Sequence, residues 1–243
     1  MSDRILGTDH YWRDWTIEDG MVYTPPDWNV AIANGSRFTF LKGADGASPS
    51  HHFDKAFPDA RASGLLVGSY VWPYPKKYIS PKTQAQFWYE VHKDLNCPIS
   101  VDFELYKYYV PDWHDIYDLG VYYLELDPTR NLGLYTNYWY YTEHGSPDPI
   151  FAEIYKFNWA ARYFYEPPQL YAPWNRTDIW QFSGLGDPAK YGIRNGKLAV
   201  DENLWMGDMD SLKRFFNQDS NLPPEPPKPP AENRTIQIKI KRS

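Results

Sequence analysis

The feature that most constrains the fold is an alternation of short apolar segments with helix-like stretches from residue 4 to about residue 216. Short runs rich in aliphatic and aromatic residues are typical of buried strands, and strands that alternate with helices form parallel sheets. Eight such segments predict an α/β fold, a TIM-like β/α barrel. They lie at residues 4–9, 37–42, 65–72, 99–104, 132–136, 158–162, 177–182 and 198–203.

Two of the connections between strands are predicted to be helices, because residues typical of helix ends flank them. Ser80 followed by Pro81 is a typical helix N-terminus. A second helix is predicted at 52–63, ending at Gly64, where Pro58 indicates a kink or a late start. The last four strands have weaker helical connections, which predicts an irregular barrel of eight strands with fewer than eight helices.

A proline-rich run is predicted to end the folded domain. Residues 219–234 include Pro-Pro-Glu-Pro-Pro-Lys-Pro-Pro, a stiff linker, so the barrel is expected to occupy residues 1–218. Residues 235–243 form a basic tail in which apolar and polar residues alternate, as is typical of a single β-strand. The tail either pairs with another chain, docks on the barrel, is the remnant of a further module, or is disordered.

Composition excludes several classes of function. The formal net charge of −6 leaves no basic excess for general nucleic-acid binding. The single cysteine, Cys97, cannot form an internal disulfide, which fits synthesis in a reducing cytoplasm. We expect no signal peptide and no membrane span, because no apolar run is long enough. The six histidines form no spaced ligand set and no Gly-x-x-x-x-Gly-Lys loop occurs, so neither metal nor another cofactor is expected.

The strongest chemical signal is a pair of acids after an apolar strand. Asp102 and Glu104 stand at i and i+2, so both project from one strand face, about 6.6 Å apart along the strand. Two partly desolvated carboxylates repel each other, so one holds its proton to higher pH and can act as a general acid. Glycosidic bond cleavage commonly uses such a pair. An isolated Asp-x-Glu also occurs at solvated strand ends.

Other polar residues occupy the C-terminal ends of other predicted strands, where β/α barrels build their active sites. Each one alone is also typical of a turn, a solvated side chain or the core, but their joint placement favours a single site. The 11 Trp and 21 Tyr fit sugar binding, with an aromatic-rich core as the alternative. The residues are Asp9, Lys42, Tyr70, Tyr135, Gln181 and Asp201.

A series of short segments also occurs in the order found in one enzyme family. They include a Gly-x-Asp strand end, a Phe-x-x-x-Lys strand, the Asp-x-Glu strand, Ile-Trp-Gln and Val-Asp-x-Asn. Together they resemble the glycoside hydrolase family 25 lysozymes over about residues 5–205. The segments are 7–9, 38–46, 60–70, 102–104, 133–136, 159–161, 179–181 and 200–203.

The resemblance implies a role for each matching residue. Glu104 would be the general acid and Asp102 its partner, while Asp9 and Asp201 would be flanking acids that set charge and orientation. The implied substrate is peptidoglycan, cleaved at the β-1,4 bond between N-acetylmuramic acid and N-acetylglucosamine. The implied substrate-binding residues are Lys42, Tyr70, Tyr135, Trp180 and Gln181.

Three departures from the family pattern are expected to line the groove. His10-Tyr11 replaces Val-Ser after Gly-x-Asp, the loop acid is Asp45 rather than Glu, and Val71-Trp72 replaces His-Phe after Tyr70. None removes a catalytic carboxylate.

Two other functions stay open. One is a weakly active or inactive lysozyme-like protein that binds walls or belongs to a phage particle. The other is a hydrolase of a related acetamido glycan such as chitin. If the target is the cell wall, the chain is expected to be made in the cytoplasm and to reach the wall after holin-type release or on a phage particle. Contact with the wall or the particle through the C-terminal tail is expected in either case.

Overall fold

The computed structural model describes residues 4–105, 112–144, 147–168, 172–194 and 199–217. Within these residues, eight strands close into one barrel, so the predicted fold class is confirmed. In chain order the barrel strands are β1 (Ile5–His10), β2 (Ser36–Asp45), β3 (Leu66–Trp72), β4 (Ile99–Asp102), β5 (Leu132–Asn137), β6 (Phe157–Ala161), β7 (Ile179–Gly186) and β8 (Val200–Trp205).

The barrel order is β1-β8-β7-β6-β5-β4-β3-β2, and β2 closes it by pairing with β1. Strands β1 to β7 are paired in parallel around the barrel. β8 differs, because it runs antiparallel to both of its neighbours, β1 and β7. A two-residue strand at Ser48–Pro49 extends the edge of β2, and Thr16–Ile17 pairs with Val22–Tyr23 in a separate ribbon.

Seven α-helices are found among the described residues, which agrees with the prediction of fewer than eight. They become short or absent after β5, where the sequence indicates weak connections, and β7 is joined to β8 through a 3-10 turn at Pro188–Tyr191. The helices are α1 (Trp28–Ala33), α2 (Phe53–Ala62), α3 (Pro81–His92), α4 (Trp113–Leu126), α5 (Tyr138–His144), α6 (Phe151–Ile154) and α7 (Met209–Phe216).

Both predicted helices are present, and α3 begins where expected. Ser80 caps α3, since its hydroxyl accepts a hydrogen bond from the Thr83 backbone N–H at 3.1 Å. α2 keeps Pro58 in its interior and begins at Phe53, so the predicted late start is wrong. The proline costs this helix one backbone donor without displacing its N-terminus.

The barrel interior is filled by large rings set against glycines. A Cβ atom on Gly133 would lie 2.2 Å from the ring of Phe157, and one on Gly7 would lie 2.4 Å from the ring of Phe38. Phe216 of α7 reaches this interior cluster, with its ring centroid 5.9 Å from that of Phe38. The rings therefore fill one end of the barrel and leave the opposite end for polar side chains.

The described part of the domain ends at Asn217, just after α7. The predicted linker, 219–234, and the tail, 235–243, lie outside the described residues. The domain boundary at residue 218 therefore stays a prediction.

Candidate active site

A cavity of about 240 Å³ opens at the polar end of the barrel. Its walls contain every predicted site residue except Trp180, so the structure brings together the residues singled out in the sequence. They come from strands on all sides of the barrel. The lining residues are Asp9, Tyr11, Lys42, Tyr70, Trp72, Asp102, Glu104, Tyr135, Trp159, Gln181 and Asp201.

Strand register places these side chains at one level of the barrel. Lys42 pairs with Tyr70 across β2 and β3, and Asp102 pairs with Tyr135 across β4 and β5. Because paired residues on neighbouring strands share a height and a face, their side chains converge on the same space.

Asp201 lines the cavity from a different position in its strand than the one predicted. It lies near the beginning of β8, not at a C-terminal strand end, and pairs with Asp9 of β1. Because β8 is antiparallel, its first residues lie at the same end of the barrel as the last residues of β1. Asp201 thus lines the cavity, but the prediction that it lies at a C-terminal strand end is wrong.

Trp180 does not line the cavity. Its neighbour Gln181 points into the barrel, and successive side chains of a strand point to opposite faces, so the indole of Trp180 points outward. The indole is buried, and its N–H donates to the carbonyl of Arg162 at 2.8 Å. Nothing in this placement supports a substrate-binding role for Trp180.

Tyr11 and Trp72, two of the departures from the family pattern that were expected to line the groove, do line the cavity. Two functional candidates were missed in the sequence: Trp159 forms part of the cavity wall, and Asn203 accepts a hydrogen bond from its indole N–H. Asn203 lies two residues beyond Asp201, so period-two alternation continued past Asp201 would have found it, whereas no such signal marks Trp159.

The pKa values of Asp102 and Glu104 are both raised. Burial, followed by repulsion from Glu104, raises the pKa of Asp102 well above its ordinary value. Burial also raises the pKa of Glu104, against hydrogen bonds from Asn137 and Tyr135 that lower it. Burial and mutual repulsion therefore let one of the two carboxyl groups keep its proton to a higher pH than a free carboxyl group does, which is the condition a general acid needs.

The carboxylate of Asp102 faces the cavity without a protein partner on one oxygen. Its Oδ1 is buried and accepts no hydrogen bond from any residue that the structure describes. Glu104 differs, because the Asn137 side-chain N–H donates to its Oε1 at 3.5 Å and the Tyr135 hydroxyl oxygen lies 3.3 Å from the same atom. Glu104 is thus positioned by its neighbours, whereas Asp102 keeps an acceptor for a ligand.

A chain of hydrogen bonds holds the opposite wall. Gln181 donates from Nε2 to Asp9 at 3.0 Å and accepts at Oε1 from Tyr135 at 2.9 Å. Asn203 donates to the same Asp9 oxygen at 2.7 Å and accepts from the indole N–H of Trp159 at 2.8 Å. Asp9 therefore orients the wall through Gln181 and Asn203, so its position in the cavity is fixed.

Lys42 is the cation of the cavity. Its ammonium lies 2.6 Å from the carboxylate of Asp45 and 4.4 Å from the ring centroid of Trp72. Its charge lowers the pKa values of Asp102 and Glu104 and opposes the effect of burial. Asp45, which stands where the family pattern has Glu, thus fixes this lysine.

A second cavity, of about 320 Å³, adjoins the first and shares Glu104 and Tyr135 with it. We call it the aromatic cavity. Its position extends the site to the far side of Glu104, so that an extended ligand can pass the acid. Its other lining residues are Asn137, Tyr138, Trp139, Ala161, Arg162, Tyr163 and Phe164.

Stability is predicted to fall as pH rises, because the buried acids hold protons that the unfolded chain loses. Burial raises the pKa of Asp201 from 3.8 to about 7. Between these pH values the folded state binds more protons than the unfolded state, so the free energy of unfolding decreases with rising pH. Thermal unfolding should show a lower Tm at pH 8 than at pH 5, by about 2–4 °C for each kcal/mol lost.

Asp201→Asn should flatten that pH dependence, whereas Asp94→Asn, which alters an exposed acid outside this cavity, should not. An Asp201→Asn variant whose Tm falls as steeply as that of the wild type would contradict the assignment.

Neither a metal cluster nor a membrane helix is found in the described parts of the chain. No three His, Cys, Asp or Glu side chains there are arranged to hold a metal ion. None of the helices in the same residues has the length and apolar character needed to cross a membrane.

Solved structures with the same fold include lysozymes and a muramidase. A lysozyme from Streptomyces coelicolor has a TM-score of 0.72 and 19% identity, covering 89% of this chain and 99% of that one. A muramidase from Trichobolus zukalii has a TM-score of 0.69 and 21% identity, covering 87% and 98%. A family 25 lysozyme from Aspergillus fumigatus has a TM-score of 0.68 and 20% identity, covering 88% and 99%. At these identities the likeness establishes the fold.

Comparison with family models assigns the chain to a family. No curated protein matches the sequence significantly. The model described as "Glycosyl hydrolases family 25" matches residues 14–189, more than half of the chain. That span contains Asp102 and Glu104 but neither Asp9 nor Asp201. The chain belongs to glycosyl hydrolase family 25.

Proposed function

We propose that this protein is a lysozyme that cleaves the β-1,4 bond between N-acetylmuramic acid and N-acetylglucosamine in peptidoglycan. The observation that carries the proposal is the buried pair Asp102 and Glu104, with raised pKa values, in the mouth of a family 25 barrel. The similar folds of a muramidase and of lysozymes support the choice of substrate.

Glu104 is assigned the role of general acid. Burial raises its pKa and so favours the protonated form, and the Tyr135 hydroxyl contacts its Oε1 in the cavity wall. It would protonate the oxygen that leaves with the departing sugar. Breaking the bond then leaves positive charge on the remaining ring.

Asp102 is assigned the role of stabilising that developing positive charge. Its buried Oδ1 can accept the N–H of the substrate's acetamide, which orients the acetamide oxygen toward the anomeric carbon. Asp9 and Asp201 flank the same ring, and Asp9 orients the cavity wall through Gln181 and Asn203. Lys42, Tyr70, Tyr135 and Gln181 then contact or position the glycan.

Product analysis tests this function. Purified peptidoglycan is digested and reduced, and the products are identified by mass spectrometry. New reduced ends on muramic acid are the expected result. Reduced glucosamine ends, or cleavage of chitin oligomers in preference to peptidoglycan, would identify another acetamido-glycan hydrolase. A failure to release any soluble fragment would instead favour the lysozyme-like binding protein.

We further propose that the chain acts on the wall after holin-type release or on a phage particle, retained there by its C-terminal tail. The basic residues Arg234, Lys239, Lys241 and Arg242 oppose the net negative charge of the chain and fit an anionic wall. Removing everything after Ser220 should leave the cleavage of soluble wall fragments intact while weakening retention on whole walls at low salt. Equal retention of the full-length and shortened chains in a sedimentation assay would contradict the role of the tail.

A further inference from the structure

The aromatic cavity presents exposed ring faces beside the proposed general acid. Trp139 is 66% exposed, Phe164 55% and Tyr163 53%. Such a concentration of exposed aromatic side chains is costly in water unless a ligand covers it. Flat aromatic faces fit the CH faces of pyranose rings, and the shared residue Glu104 connects this cavity to the bond that is cleaved.

Arg162 adds an unmatched positive charge to the same cavity. Its guanidinium lies between two rings, 5.0 Å from the centroid of Tyr138 and 4.9 Å from that of Phe164. Its Nε is buried and donates to no acceptor among the described residues, and none of their carboxylates forms an ion pair with it. The two rings hold the guanidinium in place, but they do not satisfy its donors.

We propose that the aromatic cavity is a binding site for a sugar that carries a carboxylate, with the ring face on the aromatic side chains and the carboxylate on Arg162. Guanidinium groups bind carboxylates with two parallel hydrogen bonds, and a partly desolvated site strengthens them. The inference rests on the proposed function and deepens it, because it makes Arg162 a residue that selects acidic glycans over neutral ones.

Peptidoglycan offers this carboxylate from two sources. One is the lactyl group of muramic acid, which is free when the peptide has been removed. The other is a carboxylate on the attached peptide, present only when the lactyl group is in amide linkage. Both place a negative charge next to the sugar, and the experiment distinguishes them.

The test compares kcat/KM on three glycan strands of equal length. The first is peptide-free with free lactyl carboxylates, the second is the same strand with those carboxylates converted to methylamides, and the third carries peptides. The wild type should cleave at least one carboxylate-bearing strand about 10- to 100-fold more efficiently than the neutral strand, as expected for charge-assisted hydrogen bonds. Arg162→Gln should bring that ratio close to one.

Matched variants separate the charge from the fold. Arg162→Lys keeps the charge and should recover part of the preference. Arg61→Gln removes a guanidinium that also lies over a ring, 5.4 Å from the centroid of Phe57, but outside both cavities, so it should keep the wild-type ratio. Thermal unfolding of each variant shows whether a lost preference reflects a lost fold.

Each outcome decides the proposal. An Arg162-dependent preference for the peptide-free strand identifies the lactyl carboxylate, and one for the peptide-bearing strand identifies the peptide carboxylate. A wild type that cleaves all three strands equally overturns the carboxylate site and leaves the proposed function intact. If the wild type cleaves none of them, the proposed function fails, and the ratio of Kd values for the same strands, measured by calorimetry, then tests the site: equal values overturn it.

Discussion

Glu104→Gln is expected to lower kcat on peptidoglycan by roughly 10²- to 10⁴-fold, the usual contribution of general acid catalysis. Glutamine keeps the size of the side chain and can still accept from Asn137, but its amide has no acidic proton to deliver to the leaving oxygen. KM should change little, because the contacts that bind the ground state remain.

The fold should tolerate this change. Burial raises the pKa of Glu104, which means that the charged form is disfavoured in the cavity, and a neutral amide removes that penalty. The Tm of Glu104→Gln should therefore equal or exceed that of the wild type near pH 8. Glu125→Gln, which alters an exposed acid on α4, is the matched control and should leave both kcat and Tm unchanged.

The pH profile offers an independent check of the same role. A general acid must be protonated, so activity should decline on the alkaline side as Glu104 loses its proton, and the raised pKa moves that decline upward from the range of an ordinary glutamate. Full activity in Glu104→Gln would remove Glu104 from the mechanism altogether.

The barrel was predictable because its strands are continuous apolar runs separated by marked turns. β4 and the acids after it illustrate this, since an apolar strand ending in Asp-x-Glu fixes both the element and the face of its side chains. The direction of β8 was not predictable in the same way. An apolar run does not encode which way a strand runs, and the described part of the connection after β7 contains a 3-10 turn instead of a crossover helix.

Individual site residues were predictable where the alternation of side chains between the two faces of a strand was taken into account. Trp180 and Gln181 are adjacent on β7 and cannot both point into the barrel, so predicting both as cavity residues conflicts with strand geometry. The aromatic cavity could not be predicted from the sequence, because it depends on how α5 and the loop after β6 approach each other. That contact joins segments whose positions are set by tertiary packing rather than by local pattern.

Asp102→Asn is expected to lower kcat on N-acetylated wall by roughly 10²-fold or more, because the variant loses the charge that stabilises the transition state. The buried Oδ1 of Asp102 has no partner among the described residues and lies in the cavity wall, so the acetamide N–H of the substrate is the natural donor to it. If Asp102 acts through the acetamide, a substrate without N-acetyl groups on muramic acid cannot use it.

Deacetylated wall therefore separates two mechanisms. With acetamide assistance, the wild type should cleave deacetylated wall poorly, and Asp102→Asn should add little further loss on that substrate. If Asp102 instead attacks the anomeric carbon directly, deacetylated wall should be cleaved well and a glycosyl adduct on Asp102 should be trappable. We expect acetamide assistance, because Asp102 and Glu104 follow the same strand two residues apart and are poorly placed to take opposite faces of one sugar ring. Mass spectrometry of the trapped protein decides the matter: a sugar bound covalently to Asp102 would overturn this assignment.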